Sequence, residues 1–146
     1  MELKVDVCAK IARPVAEVFS AVVNPQQLSA YFTTGGASAP LTEGAAVVWR
    51  FGDYPAEIAV RVTRLVADER VEFSWDAEQG SYQTAVVMTF EPVTGGGTLV
   101  RVVEAGWRQG PAGLRNSYLN CSGWMQMLCC LKAYLEYGIN LRKGFF

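Results

Sequence analysis

LRNSYLNCSGWMQMLCCLKAYLEY, Leu114 to Tyr137, is the longest apolar and proline-free run in the chain. Its periodicity predicts a single helix. At ~1.5 Å of rise per residue the run would reach ~36 Å, enough to cross a small domain, so only a broad partner such as a curved sheet can bury it. Turning it at ~100° per residue puts Ser117, Asn120, Trp124, Met127, Leu128, Leu131 and Leu135 on one side. Arg115, Ser122, Gln126, Cys129, Ala133 and Glu136 fall on the other. The first set is expected to face the interior.

Upstream of this helix the period is two. Ala45 to Phe51, Ala56 to Ala67, Val71 to Trp75, Tyr82 to Pro92 and Thr98 to Trp107 read as five strands. Short connections at Gly52-Asp53, Asp68-Glu69, around Gly80 and at Gly95-Gly96-Gly97 imply an antiparallel meander. The triple glycine reads as a hairpin turn, since no helix follows it to cradle a phosphate. Alternation places Val47, Trp49 and Phe51 inside, with Val71, Phe73 and Trp75, and with Tyr82, Val86, Met88 and Phe90. The last strand carries a charge on each parity, so one of Arg101 and Glu104 is expected to point inward.

At the start of the chain, Leu3 to Ile11 alternates as an opening strand with one wet face. Pro14 suits the first turn of a short helix carrying Val15, Val18, Phe19, Val22 and Val23, which Asn24-Pro25 stops. A second short helix follows over Pro25 to Tyr31, with Leu28, Tyr31 and Phe32 on one side. The predicted class is therefore α+β: a curved antiparallel sheet of about six strands wrapped around a long C-terminal helix, with two short helices after the first strand. No repeat or long linker interrupts residues 1–146, which read as a single domain.

Thirteen Lys plus Arg balance 14 Asp plus Glu without runs, so no electrostatic footprint marks nucleic acid or an anionic membrane as a partner. The long helix is broken by Gln126, Lys132 and Glu136, short of a membrane span, and a soluble, cytoplasmic protein is expected. Cys8, Cys121, Cys129 and Cys130 lack the spacing of a disulfide framework and are read as free thiols. With no histidine and no C-x-x-C, neither a metal site nor any other cofactor is expected. The same absence removes Ser-His-Asp and Cys-His machinery.

The order of elements, with IARPVAEVFSAVVNPQQLSAYF, VEFSW, VVMTFEP, GTLVRVVEAGW and GWMQMLCCLKAYLEYG, resembles the activator-of-heat-shock-ATPase-like branch of the START and birch-pollen-allergen (SRPBCC) superfamily. Gly123, Trp124, Leu128, Leu131, Lys132, Leu135 and Glu136 match that branch, as do Pro14, Val18, Pro25, Leu28 and the Tyr31-Phe32 pair. The resemblance covers nearly the whole chain and implies a helix-grip fold with an internal apolar cavity.

Three functional readings follow. The first is a binding protein for a small hydrophobic or amphipathic ligand. Its cavity would be lined by Trp49, Phe51, Phe73, Trp75, Met88, Asn120, Trp124, Met127 and Leu128, with Arg101 or Glu104 as polar anchor and no catalytic residue. The same aromatic residues could equally form an ordinary packed core. The second is an enzyme of the cyclase, hydratase or dehydratase kind found among relatives of this fold, with Glu104, Asp76, Arg101 and Tyr82 as the candidate acid and base groups. The third is a chaperone-cofactor-like protein-binding domain. A homodimer could use the outer face of the last strand, or Tyr118, Met125, Cys129 and the Phe145-Phe146 pair.

Overall fold

The computed structural model describes all residues, Met1–Phe146. A strand β1 (Lys4–Ile11) leads into helices α1 (Val15–Val23) and α2 (Pro25–Ser29). A two-residue strand β2 (Gly36–Ala37) precedes β3 (Ala46–Phe51), β4 (Tyr54–Val66), β5 (Arg70–Ala77), β6 (Tyr82–Pro92) and β7 (Thr98–Ala105). The chain closes with α3 (Pro111–Tyr137) and a nine-residue tail, 138–146. The strands form one antiparallel sheet in the order β1-β7-β6-β5-β4-β3-β2. The helix-grip arrangement expected from the order of elements is what the chain adopts.

Boundaries differ where local chemistry is subtle. The long helix begins three residues earlier than Leu114, because Pro111 can occupy the first helical position, where its missing N–H costs nothing. The seventh strand, β2, lies in the loop after α2; two residues carry no alternation to read. Asn24 separates the two short helices: its Oδ1 accepts the N–H groups of Gln26 and Gln27 at 3.0 and 3.1 Å, capping α2.

The interior follows the expected parities. Val47 and Trp49, Val71 and Phe73, and Val86, Met88 and Phe90 are buried, as are Trp124, Met127, Leu128 and Leu131 of α3. The last strand resolves in favour of Val100, Val102 and Glu104 inside, while Arg101 is on the outside. Tyr31 joins the short helices to α3. Its ring stacks on Tyr134 with centroids 5.2 Å apart, and its hydroxyl donates to the Ala21 carbonyl at 3.0 Å. Burial, with lesser contributions from Tyr134 and Cys130, holds its pKa well above the usual phenol value.

The grip of sheet on helix is uneven. α3 runs closest to β1. There Lys132 Nζ donates to the Lys10 carbonyl at 3.0 Å, and Glu136 Oε2 accepts the Ala12 N–H at 3.0 Å. Gly138, at φ 65°, lets the chain leave the helix in the left-handed region while its N–H and that of Ile139 bond to the Tyr134 and Ala133 carbonyls. No helix is long and apolar enough to cross a membrane.

Candidate functional site

On the side of α3 away from β1, helix and sheet separate and leave a cleft of about 460 Å³. Phe51, Tyr54, Ile58 and Trp75 border it from β3, β4 and β5; Leu119, Asn120, Gly123, Trp124 and Gln126 border it from α3. Phe32, three residues past α2, and Asp53 of the β3–β4 turn complete two sides, and Arg142 and Phe146 of the tail close a third. Tyr54, Leu119 and Phe146 are exposed at its mouth.

The walls are aromatic because strand parity and helix periodicity bring Phe51, Trp75 and Trp124 together, and Phe32 joins them from the loop after α2. Trp75 and Trp124 stack with centroids 5.1 Å apart and planes at 24°. Phe32 inserts between sheet and helix, edge-on to Phe51 at 5.1 Å and to Trp49 at 5.7 Å, and tilted against Trp124 at 6.1 Å. This insertion corrects the expected lining. Phe51, Trp75, Asn120 and Trp124 do border the cleft. Trp49, Phe73, Met88, Met127 and Leu128 do not: each is at most 1% exposed, packed in the interior to one side. Phe32 packs between Trp49 of the sheet and Trp124 of the helix, in space that the helix and sheet patterns, read by themselves, leave open. The pattern of the second short helix marks Phe32 as apolar but cannot say that it reaches under α3.

Beneath the two indoles lies Glu104, fully buried. Trp75 Nε1 and Thr84 Oγ1 each donate to its Oε1 at 2.7 Å, and Trp124 Nε1 donates to its Oε2 at 2.7 Å. Asn120 Nδ2 bridges both oxygens at 3.0 and 3.1 Å. The three nitrogen partners can only donate, so the carboxyl serves them as an acceptor through both oxygens. Four donors spread over β5, β6 and α3 thus offset the cost of burying this group without a cation among its partners. Arg101, the other candidate anchor, is on the solvent side of the sheet, donating from Nη1 to Asp6 Oδ1 at 2.6 Å. That contact raises its pKa further above the ordinary arginine value.

The tail contributes what no periodicity announces. Arg142 Nε and Nη2 donate to the two carboxylate oxygens of Asp53, both at 2.8 Å, and Nη1 donates to Gln126 Oε1 at 3.2 Å. The guanidinium lies 4.8 Å from the Phe51 ring centroid and 5.6 Å from those of Phe32 and Phe146. Gln126, expected on the outer side of the helix, is instead half-buried, with its Nε2 covered and without a partner. Turning the helix against the sheet could not show this, because what covers Gln126 is a segment beyond the helix.

The remaining candidates lie apart. Tyr82 donates to Glu78 Oε1 at 2.6 Å and accepts the Arg108 N–H at 3.1 Å, under the Arg108 guanidinium. Burial and the Glu78 contact raise its pKa. Asp76 accepts from Gln83 at the surface. All four cysteines are free, and burial pushes the Cys130 thiol up, away from the reactive thiolate. No three His, Cys, Asp or Glu side chains cluster as a metal site would require.

Residues 12–136 match the family described as Activator of Hsp90 ATPase homolog 1-like protein. The chain belongs to this family. Its fold is shared by SSP2350 from Staphylococcus saprophyticus, at TM-score 0.81 and 24% identity over 95% of this chain and 96% of that one. It is shared too by the Aha1 dimer from Colwellia psychrerythraea, at TM-score 0.78 and 19% identity over 92% and 97%. DynU16, a protein of the dynemicin biosynthetic locus, superposes at TM-score 0.82 and 26% identity; the match covers 94% of this chain and 48% of DynU16, about half its length. No curated protein matches. In this Aha1-like chain the family match takes in every helix-borne residue of the cleft and ends before the tail that closes it.

Proposed function

We propose that this protein binds a small apolar or amphipathic molecule in the cleft between α3 and the β3–β5 face of the sheet. The observation that carries the reading is an aromatic-walled gap of about 460 Å³ beside a continuous core of buried apolar side chains. Binding is favoured over catalysis because Glu104, the carboxylate nearest the aromatic walls, is fully buried and has both oxygens occupied. Tyr82 and Asp76 do not border the cleft, and Arg101 faces away from it.

The test uses N-phenyl-1-naphthylamine, a neutral fluorescent probe. Saturable probe emission, quenching of Trp75 and Trp124, and a rise in unfolding temperature with probe concentration are expected, since a ligand of the native state stabilises it by mass action. Gly123→Leu, whose Cβ would meet nothing within 4 Å, should abolish binding while the protein stays folded. Probe binding that is absent in the parent, or unchanged in Gly123→Leu, defeats the reading.

A second reading, self-association, is favoured by the dimeric state of the Colwellia psychrerythraea homologue. Tyr118 and Phe146 are largely exposed and offer apolar surface to a second copy. Native mass spectrometry at micromolar protein would show the dimer; a monomer throughout would remove it.

A further inference from the structure

The orientation of one side-chain amide deepens the ligand reading, on which the following rests. Asn120 lines the cleft and directs Nδ2 at both oxygens of Glu104. A carboxylate so placed fixes the amide, because turning it over would set a carbonyl oxygen against two acceptor oxygens. The Asn120 Oδ1 is therefore held on the side away from Glu104. It takes no hydrogen bond from the protein and is not wholly covered, so it is an acceptor without a protein partner on a residue that borders the cleft.

Around that acceptor the site is flat and without a free charge. The Trp75-Trp124 stack and the Phe51 ring supply planar surfaces. The charges of Arg142 and Asp53 are spent on each other. Gly123, one helical turn after Asn120 on the same face, borders the cleft with no atom within 4 Å of where a Cβ would be, so no packing within the protein calls for glycine there. Mid-helix glycine is unfavourable, and here it leaves the helix backbone open to the cleft beside Asn120.

We propose that the cleft selects a neutral, flat aromatic ligand bearing a hydroxyl or N–H group that donates to Asn120 Oδ1, with Glu104 as the positioning residue that keeps this acceptor turned toward the ligand. An anion is disfavoured on the same geometry: it would meet a carbonyl oxygen with a buried carboxylate behind it. Glu104 touches no ligand in this arrangement and acts only through the amide it orients.

The probes are 2-naphthol, its near-isostere 2-methylnaphthalene and the anion 2-naphthoate, titrated by tryptophan fluorescence against the parent, Asn120→Leu and Glu104→Gln. The quantity read is the ratio of the 2-methylnaphthalene to the 2-naphthol dissociation constant. That ratio is expected to fall about tenfold from parent to Asn120→Leu, the scale of one hydrogen bond to an otherwise unpaired group. Glu104→Gln, studied at a temperature where circular dichroism shows it folded, should lower the ratio as well, because the Asn120 amide is then free to turn over. If Glu104→Gln lowers stability but keeps the parent's ratio, Glu104 is structural and not positioning. A ratio that Asn120→Leu leaves within about twofold overturns the selectivity while the cleft remains a container. Tightest binding by 2-naphthoate overturns it in favour of an anion site. Failure of the naphthalenes and the naphthylamine alike overturns both readings. The parent comparison among the three probes stands even if neither variant folds.

Discussion

Leu131 and Gln126 sit little more than one helical turn apart on α3, and their different fates show what a single side chain can reveal. Leu131 is fully buried, and Leu131→Ala should destabilise by about 2 to 5 kcal/mol in urea unfolding, the range for a long aliphatic side chain removed from a packed interior. The outward reading of Gln126 implies almost no effect for Gln126→Ala. The Arg142 contact revises that to a loss of about 1 kcal/mol, because an Arg142 N–H loses its acceptor. The loss is limited because Nε2, already without a partner, disappears with it. Equal unfolding midpoints for the two variants would contradict the placement of Leu131 in the core. Burial of Leu131 was legible at this scale because a long apolar side chain has one stable place to go. The partner of Gln126 was not, because an amide suits either surface or site.

At the scale of elements, two glycines of α3 make opposite predictions. A Cβ on Gly113 would collide with the Arg108 carbonyl oxygen, so Gly113→Ala must push the first turn of the helix away from the preceding loop. Gly123 meets no obstruction, and Gly123→Ala should raise stability by up to about 1 kcal/mol through helix propensity. Thermal unfolding of the pair checks both signs; stabilisation by Gly113→Ala would contradict the close approach. The other end of α3 carries a pH dependence. The Ala12 N–H and then the Lys132 ammonium hold Glu136 below the ordinary glutamate value of 4.5. A folded-state pKa that is depressed contributes stability above the unfolded value and loses it as pH falls through the folded one. The stability advantage of the parent over Glu136→Gln should thus be full at neutral pH and shrink progressively below about 4.5. An advantage that persists undiminished at pH 3 would show that the tie to β1 does not depend on the carboxylate.

For the whole molecule, the tail and the β3–β4 turn are joined by one ion pair, 89 residues apart in sequence. The Arg142 side chain is 9% exposed and that of Asp53 18%, so the pair is more shielded than a surface bridge and is also bidentate. Arg142→Ala should cost about 2 kcal/mol, and a double-mutant cycle with Asp53→Asn should return a coupling of at least about 1 kcal/mol. Additive effects would mean that the tail is held by its rings and not by its charge.

What the amino-acid order determined by itself is the set of elements and their buried sides. The helix of Leu128 and Leu131, the strands of Trp49 and Phe73, and the hairpins between them each carry a local period that burial imposes. Even the conflict on the last strand was visible, as a charge on each parity at Arg101 and Glu104. Only the tertiary structure decided which charge went inside, since Asp6 waited on one face and four donors from three elements on the other. It alone decided where the cleft lies as well. Periodicity says which side of an element is covered, but not how far apart two covered sides stand. Nor does it say which distant segment enters between them. Phe32 fills the middle of that gap, Arg142 closes its end, and the space between α3 and β3–β5 is what those two leave open.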